Sequence, residues 1–253
     1  MDLSAFSLAG KIIMVTGANT GIGQGIALSI GRAGGRVIGV GRSTMDETAE
    51  LMTTIGAELV AVQADLGSTS DAQAMFEAVW DRHGPIDGLV NNAGIIKRVD
   101  AVDLTEEDWD SVMDINLKTM FFLSQSLGRK AIEAEREARI VNIASMLSFQ
   151  GGIRVASYTA SKSGVLGITR LLANEWAARG INVNAVAPGY IETNNTEALR
   201  NDPDRSAAIL GRIPAERWGV PSDIGDAAVF LLAPASNYMH GAVIPVDGGW
   251  LAR

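Results

Sequence analysis

Tyr158 and Lys162 stand four residues apart in the run SYTASKSG (157–164). Four residues along a helix bring two side chains onto one face. A free phenol has a pKa of about 10, too high for a base near neutrality, and a neighbouring ammonium favours the phenolate and lowers that value. The pair therefore suits proton transfer at a carbonyl or an alcohol. Neither Tyr190 nor Tyr238 has a lysine at that spacing. Ser145 closes the run IVNIAS, 13 residues before Tyr158, and its hydroxyl can hydrogen-bond the same reacting oxygen. A half-buried tyrosine beside a solvated lysine is the ordinary alternative for the pair taken alone.

A second chemical feature is the glycine-rich stretch TGANTGIG (Thr16 to Gly23). Gly17, Gly21 and Gly23, with Asn19, Thr20 and Ile22 between them, permit a tight turn and close approach of backbone to a diphosphate. The N–H groups and positive end of a following helix would hold that ligand. The spacing is G-x-x-x-G-x-G, and the Gly-Lys-Ser/Thr ending of an ATP-binding P-loop is absent. Asp65 and Leu66 in ADL, and Asn92, Ala93 and Gly94 in NNAG, follow two further strand-like runs. Asp65 is placed to meet an adenine amino group, and NNAG to turn tightly beside a ribose.

The elements that must position these groups alternate along the chain. Short β-branched runs (KIIMVTG, RVIGVG, ELVAVQADL, IDGLVNNAG, RIVNIAS, INVNAVAPG, VIPVDGG) are separated by amphipathic stretches of ten or more residues. That alternation predicts βαβ crossovers: a single α/β domain over 1–253, a Rossmann-like doubly wound parallel sheet with helices on both faces. Ligands of such sheets bind at the C-terminal strand edge, where both the glycine turn and NNAG fall. The run EEDWDSVMDINLKTMFFLSQSLGRKAIEA predicts one long helix. Residues 189–220, rich in Asn, Asp, Arg and Pro, break the pattern and predict a lid over the site.

Composition removes other classes of function. With 21 basic and 29 acidic residues the formal net charge is −8, which disfavours nucleic-acid binding. No cysteine is present, so disulfides, thiolate nucleophiles and cysteine-bound metals are excluded. His83 and His240 are the only histidines and have no paired spacing, so no metal is expected. No G-x-S-x-G nucleophile elbow occurs. The N-terminal run has no secretory pattern and no apolar segment is long enough to span a bilayer; the expectation is a cytoplasmic protein with no membrane partner.

Taken together, TGANTGIG, NNAG, Asn116 in DINL, Ser145, YTASK and APG resemble the short-chain dehydrogenase/reductase family over the whole chain. The resemblance implies a tetrad of Asn116, Ser145, Tyr158 and Lys162. In that scheme Tyr158 is the acid/base and Ser145 orients the reacting oxygen. Lys162 lowers the tyrosine pKa and binds the nicotinamide ribose, and Asn116 holds a water in a proton relay. It further implies contacts from Pro188, Gly189, Ile191 and Thr193 to the nicotinamide end, and a homotetramer.

Within the family, NIASMLSFQGGIRVASYTASKSG, NEWA, INVNAVAPGYIETNNT and VDGGWLAR are similar to dehydrogenases of 2-keto-3-deoxygluconate or 2-deoxygluconate and to reductases of 4-deoxy-5-hexoseulose uronate. That implies an acidic carbohydrate substrate from pectin or alginate breakdown. Gln150, Arg154, Lys97, Arg98, Asn194 and Asn195 are its candidate partners, each with a solvated surface role as the alternative. At the end of the second strand Gly41 replaces the carboxylate that binds the ribose of NAD, and Arg42 follows. Thr20 in the glycine turn and the nearby Asp46 and Glu47 weigh the other way, so NAD(H) is favoured over NADP(H). Other ketones of the same chemistry (a sugar alcohol, a steroid, an acyl-carrier ketone) and a non-catalytic nucleotide sensor are the competing functions.

Overall fold

The computed structural model describes residues 2–253. Seven strands form one parallel sheet: β1 (Ile12–Thr16), β2 (Arg36–Gly41), β3 (Leu59–Gln63), β4 (Gly88–Asn91), β5 (Ala138–Ile143), β6 (Ile181–Pro188) and β7 (Val243–Val246). Their order is β3-β2-β1-β4-β5-β6-β7, so the winding reverses between β1 and β4. Alternate strand residues serve opposite faces. Ile13, Val15, Val141 and Ile143 pack beneath α1 (Gly21–Arg32), with Ile26 and Ile30, while Met14 and Ile140 turn to the other side. Both faces are covered, which explains why the strands read as continuous apolar runs.

The second face carries α3 (Thr69–His83), which follows the short α2 (Asp46–Thr54). The long helix expected after NNAG is three segments: α4 (Glu106–Met113), a π-wound stretch (Asp114–Thr119), and α5 (Met120–Glu133). Insertion of the wider turn puts the buried Asn116 side chain against the β4 edge; π turns of this kind mark functional sites. α6 (Ala156–Trp176) carries Tyr158 and Lys162.

The stretch 189–220 is less irregular than expected. It holds α7 (Glu197–Arg200) and α8 (Pro203–Leu210), the latter started by Asp202, whose carboxylate accepts from Asp204 N and Arg205 N. A parallel bridge pairs Ile191 with Gly219 and closes the segment on itself. Ile209, Ile213 and Trp218 form a small core with Met146 and Trp250, separate from the two sheet cores. α9 (Pro221–Leu232) then returns to pack beside α1. Among the described residues no helix is long and apolar enough to cross a membrane.

Candidate active site

A cleft of about 890 Å³ opens at the C-terminal edge of the strands, beside the β1/β4 reversal. Its floor is the glycine turn. Gly17 and Gly21 have φ of 68° and 56°, in the region that favours glycine. Gly23 is required by space: a Cβ there would lie 2.0 Å from the Gly17 carbonyl oxygen. Asn92 locks this turn to β4 by donating from Nδ2 to the Thr16 carbonyl (2.9 Å), and Thr16 Oγ1 accepts from Asn92 N and Ala93 N (both 3.0 Å). Thr20 precedes α1 without a side-chain cap, which leaves the first N–H groups of the helix for a ligand.

Tyr158 and Lys162 lie on the cleft wall formed by the start of α6. Lys162 is only 5% exposed; its Nζ donates to the Ile143 carbonyl (2.6 Å) and sits 5.7 Å from the Tyr158 ring centroid. Burial pushes its pKa down to about 8. The Tyr158 phenol differs from the expectation of a lowered value. Burial raises it, and the Ser145 hydroxyl and the Arg98 charge only partly offset that. The physical reason is that the desolvation that disfavours a phenolate also weakens the hold of Lys162 on its own proton.

Ser145 ends the β5 edge and accepts from Leu147 N (3.1 Å), which fixes a short turn at residues 146–148. Ser148 Oγ joins that turn to α6 by donating to the Lys162 carbonyl (2.6 Å). Asn116 is 2% exposed and does not line the cleft. Its Nδ2 donates to the Ile95 carbonyl (2.9 Å) and Ser161 Oγ (3.2 Å), and its Oδ1 accepts from Ile95 N (2.8 Å). The side chain is thus committed to shaping the backbone after NNAG.

The other anticipated residues divide into two groups. Asn19, Thr20, Ile22, Asn92, Ala93, Gly94, Pro188, Gly189, Ile191, Thr193, Arg98, Gln150, Arg154, Asn194 and Asn195 all line the cleft. Arg42, Asp65, Leu66 and Lys97 do not. Arg42 is exposed past the β2 end, and Gln63 Nε2 donates to its carbonyl (2.9 Å). One Asp65 carboxylate oxygen accepts from Gly67 N (2.9 Å) in a local turn. Lys97 pairs with Asp108 (2.8 Å), and Arg154 with Asp100 (3.2 Å) although it borders the cleft. Arg98 has no carboxylate partner among the described residues; it donates from Nη2 to the Asn195 carbonyl (3.2 Å), tying the lid to the opposite wall.

Sequence reasoning missed Met146, Tyr190, Arg205, Arg212 and Trp250, which also line the cleft. The lid arginines carried no usable signal, because α8 ends at Leu210 and Arg212 lies beyond it, so their spacing of seven reflects no shared helix face. It also missed the buried polar ladder behind the site, in which Asn91 Nδ2 donates to Asn142 Oδ1 and Asn142 Nδ2 to Thr169 Oγ1 (2.9 Å each).

A family profile described as enoyl-(acyl carrier protein) reductase matches residues 17–251. The chain is 54% identical over 253 residues, the whole of both proteins, to 2-dehydro-3-deoxy-D-gluconate 5-dehydrogenase of Escherichia coli (strain K12). A solved structure from Agrobacterium tumefaciens that holds NADP superposes with a TM-score of 0.94 at 55% identity, covering 98% of this chain and 99% of that one. A gluconate 5-dehydrogenase from Burkholderia cenocepacia, in complex with NADP and tartrate, matches at a TM-score of 0.93 and 32% identity, with 99% of each chain covered. With the glycine turn, the Ser145 edge and the Tyr158–Lys162 face gathered in one cleft, the chain belongs to the short-chain dehydrogenase/reductase family of NAD(P)-dependent oxidoreductases.

Proposed function

We propose that the enzyme interconverts the C5 alcohol and C5 ketone of 2-keto-3-deoxygluconate or a closely related six-carbon keto acid, using a nicotinamide dinucleotide. The observation that carries this is the joining, in one cleft, of a phenol–hydroxyl–lysine set with Arg98, Arg205 and Arg212, which have no carboxylate partner among the described residues. The glycine turn fits the cofactor: its floor has no room for a Cβ at Gly23, and the start of α1 is uncapped. When bound, the nicotinamide supplies or accepts the hydride. Gly17, Asn19, Thr20, Gly21, Ile22 and Gly23 would hold the diphosphate, and Asn92, Ala93, Gly94, Pro188, Gly189, Ile191 and Thr193 the nicotinamide half.

In the reductive direction Tyr158 Oη gives its proton to the carbonyl oxygen, and in the oxidative direction it takes the proton back. The raised phenol suits the first task. Ser145 Oγ donates to the same oxygen and holds it facing Tyr158. Lys162 Nζ, buried near the Tyr158 ring, would bind a ribose hydroxyl. Asn116, with its amide engaged by Ile95 and Ser161, would serve a proton relay through its backbone. Arg98 lies near enough to act on Tyr158 at the reacting end of the cleft, while Gln150, Asn194 and Asn195 line it as partners for the substrate's hydroxyls. Arg154 and Lys97 are held by Asp100 and Asp108 and have less to offer an anion.

The sequence favours NAD(H). Two relatives hold NADP, and Arg42 is exposed with no ion-pair partner among the described residues, next to Ser43, whose hydroxyl accepts from Asn19 Nδ2 (2.8 Å). These observations support acceptance of NADP(H) as well, with Arg42 on the 2′-phosphate. We place the enzyme in the cytoplasm as a homotetramer; the open edge of β7 and the exposed Leu171 of α6 offer surfaces for assembly.

The test is the initial rate of NADH and, separately, NADPH oxidation with 4-deoxy-5-hexoseulose uronate, and of NAD⁺ and NADP⁺ reduction with 2-keto-3-deoxygluconate. Oxidation of 2-keto-3-deoxygluconate, with Arg42→Ala losing rate with the phosphorylated cofactor alone, is expected; turnover of the uronate alone, whose reducible group is a terminal aldehyde, would move the reaction off C5. Turnover confined to uncharged or acyl-carrier ketones would overturn the substrate assignment.

A further inference from the structure

The cleft has a second cationic end that the proton-transfer set does not use. Arg205, on α8, and Arg212, two residues beyond its end, line the lid side of the cleft, and neither side chain has an ion pair or a hydrogen bond among the described residues; the lining carboxylate nearest in sequence, Asp202, is engaged by the Asp204 and Arg205 backbone N–H groups. The Arg212 guanidinium lies 4.0 Å from the centre of the Trp250 ring. A guanidinium stacked on an indole keeps its in-plane N–H donors free while its orientation is fixed. Trp250 itself is 95% buried, and its indole N–H has no acceptor. A buried donor without a partner costs free energy unless a ligand or water completes it. The Tyr190 ring packs edge-on against Trp250, 4.9 Å between centroids, and closes this end of the cleft.

The two cationic positions are electrically distinct. Arg98 acts on the Tyr158 phenol, where the reacting oxygen would sit. Arg205 and Arg212 instead act on the Tyr190 phenol, whose pKa burial raises and their charges partly lower. A six-carbon keto acid has this polarity. Four C–C bonds, each about 1.5 Å, separate its carboxylate carbon from C5, a span of roughly 5 Å when extended. We propose that Arg205 and Arg212, the latter held in place by the Trp250 ring, form the carboxylate subsite, which holds the acid group at the lid while the carbonyl lies between Ser145 and Tyr158. This deepens the assignment of a keto-acid substrate and rests on it. It makes the lid a reader of charge: an acid bridges it to the wall, and an uncharged ketone of the same length does not.

The experiment compares wild type with Arg205→Gln, Arg212→Met and Trp250→Phe. The Arg212→Met side chain keeps an apolar stem on the indole, and Trp250→Phe keeps a ring while removing the N–H. KM and kcat are measured for 2-keto-3-deoxygluconate and for an uncharged ketose, and tartrate binding to the enzyme with NADP is measured by calorimetry. Each arginine variant should raise KM for the acid roughly 10- to 100-fold, the loss of one charge-assisted hydrogen bond, and weaken tartrate similarly. Values of kcat, of the cofactor KM and of the ketose KM should stay within about threefold, and Arg212→Lys should recover part of the affinity. Trp250→Phe should raise the acid KM only several-fold.

An unchanged acid KM in both arginine variants, or an equal rise for acid and ketose, overturns the subsite. If wild type turns over no keto acid, the substrate assignment fails, and tartrate alone decides the subsite. Tartrate binding lost in the arginine variants then supports it; binding that is unaffected by them, or absent from wild type, overturns it.

Discussion

The two halves of the cleft are built from different material. The glycine-turn half is backbone: positive φ at Gly17 and Gly21, no room for a Cβ at Gly23, and Asn92 and Thr16 bonding main-chain groups across β1 and β4. The lid half is side chain: an aromatic and aliphatic core of its own, exposed arginines facing inward, and the Arg98–Asn195 hydrogen bond across the cleft mouth. The diphosphate and nicotinamide are common to both dinucleotides, and backbone suits an invariant group. A substrate differs between members, and solvent-facing side chains on a separately packed segment can change at small cost to the sheet.

Tyr158 and Lys162 sit where the halves meet, so they give the sharpest test of the division. Tyr158→Phe should lower kcat by about a thousandfold while the dissociation constants of both cofactor and acid change little, as steady-state rates and fluorescence titration would read. Equal loss of binding would mean that the phenol is structural and that the halves share more than a border.

Lys162 makes a claim about stability. Its pKa falls from 10.5 in an unfolded chain to about 8 when folded. Between those values the unfolded state binds more protons, so the contribution of this group to stability rises with pH across that window and its burial cost is fully present below it. The change has a ceiling of about 3 kcal/mol. Urea unfolding at pH 8 and pH 10, with Lys162→Met as control, measures it; only the wild type should gain.

Smaller effects should separate the halves cleanly. Gly23→Ala places a methyl 2.0 Å from the Gly17 oxygen, an overpacking cost of about 1–3 kcal/mol. Cofactor affinity should fall roughly 10- to 100-fold, with tartrate affinity in the cofactor-saturated enzyme preserved. Trp218→Ala empties the lid core and should do the reverse. Amides of residues 191–213 should exchange faster and the acid KM rise several-fold, with those of β1 and β4 unchanged. If Trp218→Ala also loosened β1, the lid core would be part of the sheet core.

The backbone-built half was the legible one. Glycines at 17, 21 and 23 and the NNAG turn carry their conformational demand in the residue type, and strand alternation with long helices dictates the parallel sheet. The lid was seen only as an irregular stretch, because its order comes from contacts distant in sequence, Ile191 to Gly219 and Ile209 to Trp250. The arginine partners illustrate the same limit. Lys97 and Arg98 are adjacent, yet Asp108 neutralises one and no carboxylate among the described residues meets the other, a fact of tertiary placement. The tyrosine–lysine spacing located the pair, but the direction of the phenol shift depends on how deeply both are packed, which spacing does not carry.

The π-wound stretch at 114–119 gives one region where chain length itself is specified. A wide turn holds one more residue than an α turn would need, so removing any one of those six positions would let α4 and α5 merge into a straight helix. Everything on the α4 side would then rotate by about 100° and shift by about 1.5 Å relative to α5. Val112 would leave its buried position and Asn116 would no longer face Ile95. A one-residue deletion there should therefore be more damaging than most point substitutions among the same six residues, which makes the count of residues, more than their identities, the quantity to keep when this segment is redesigned.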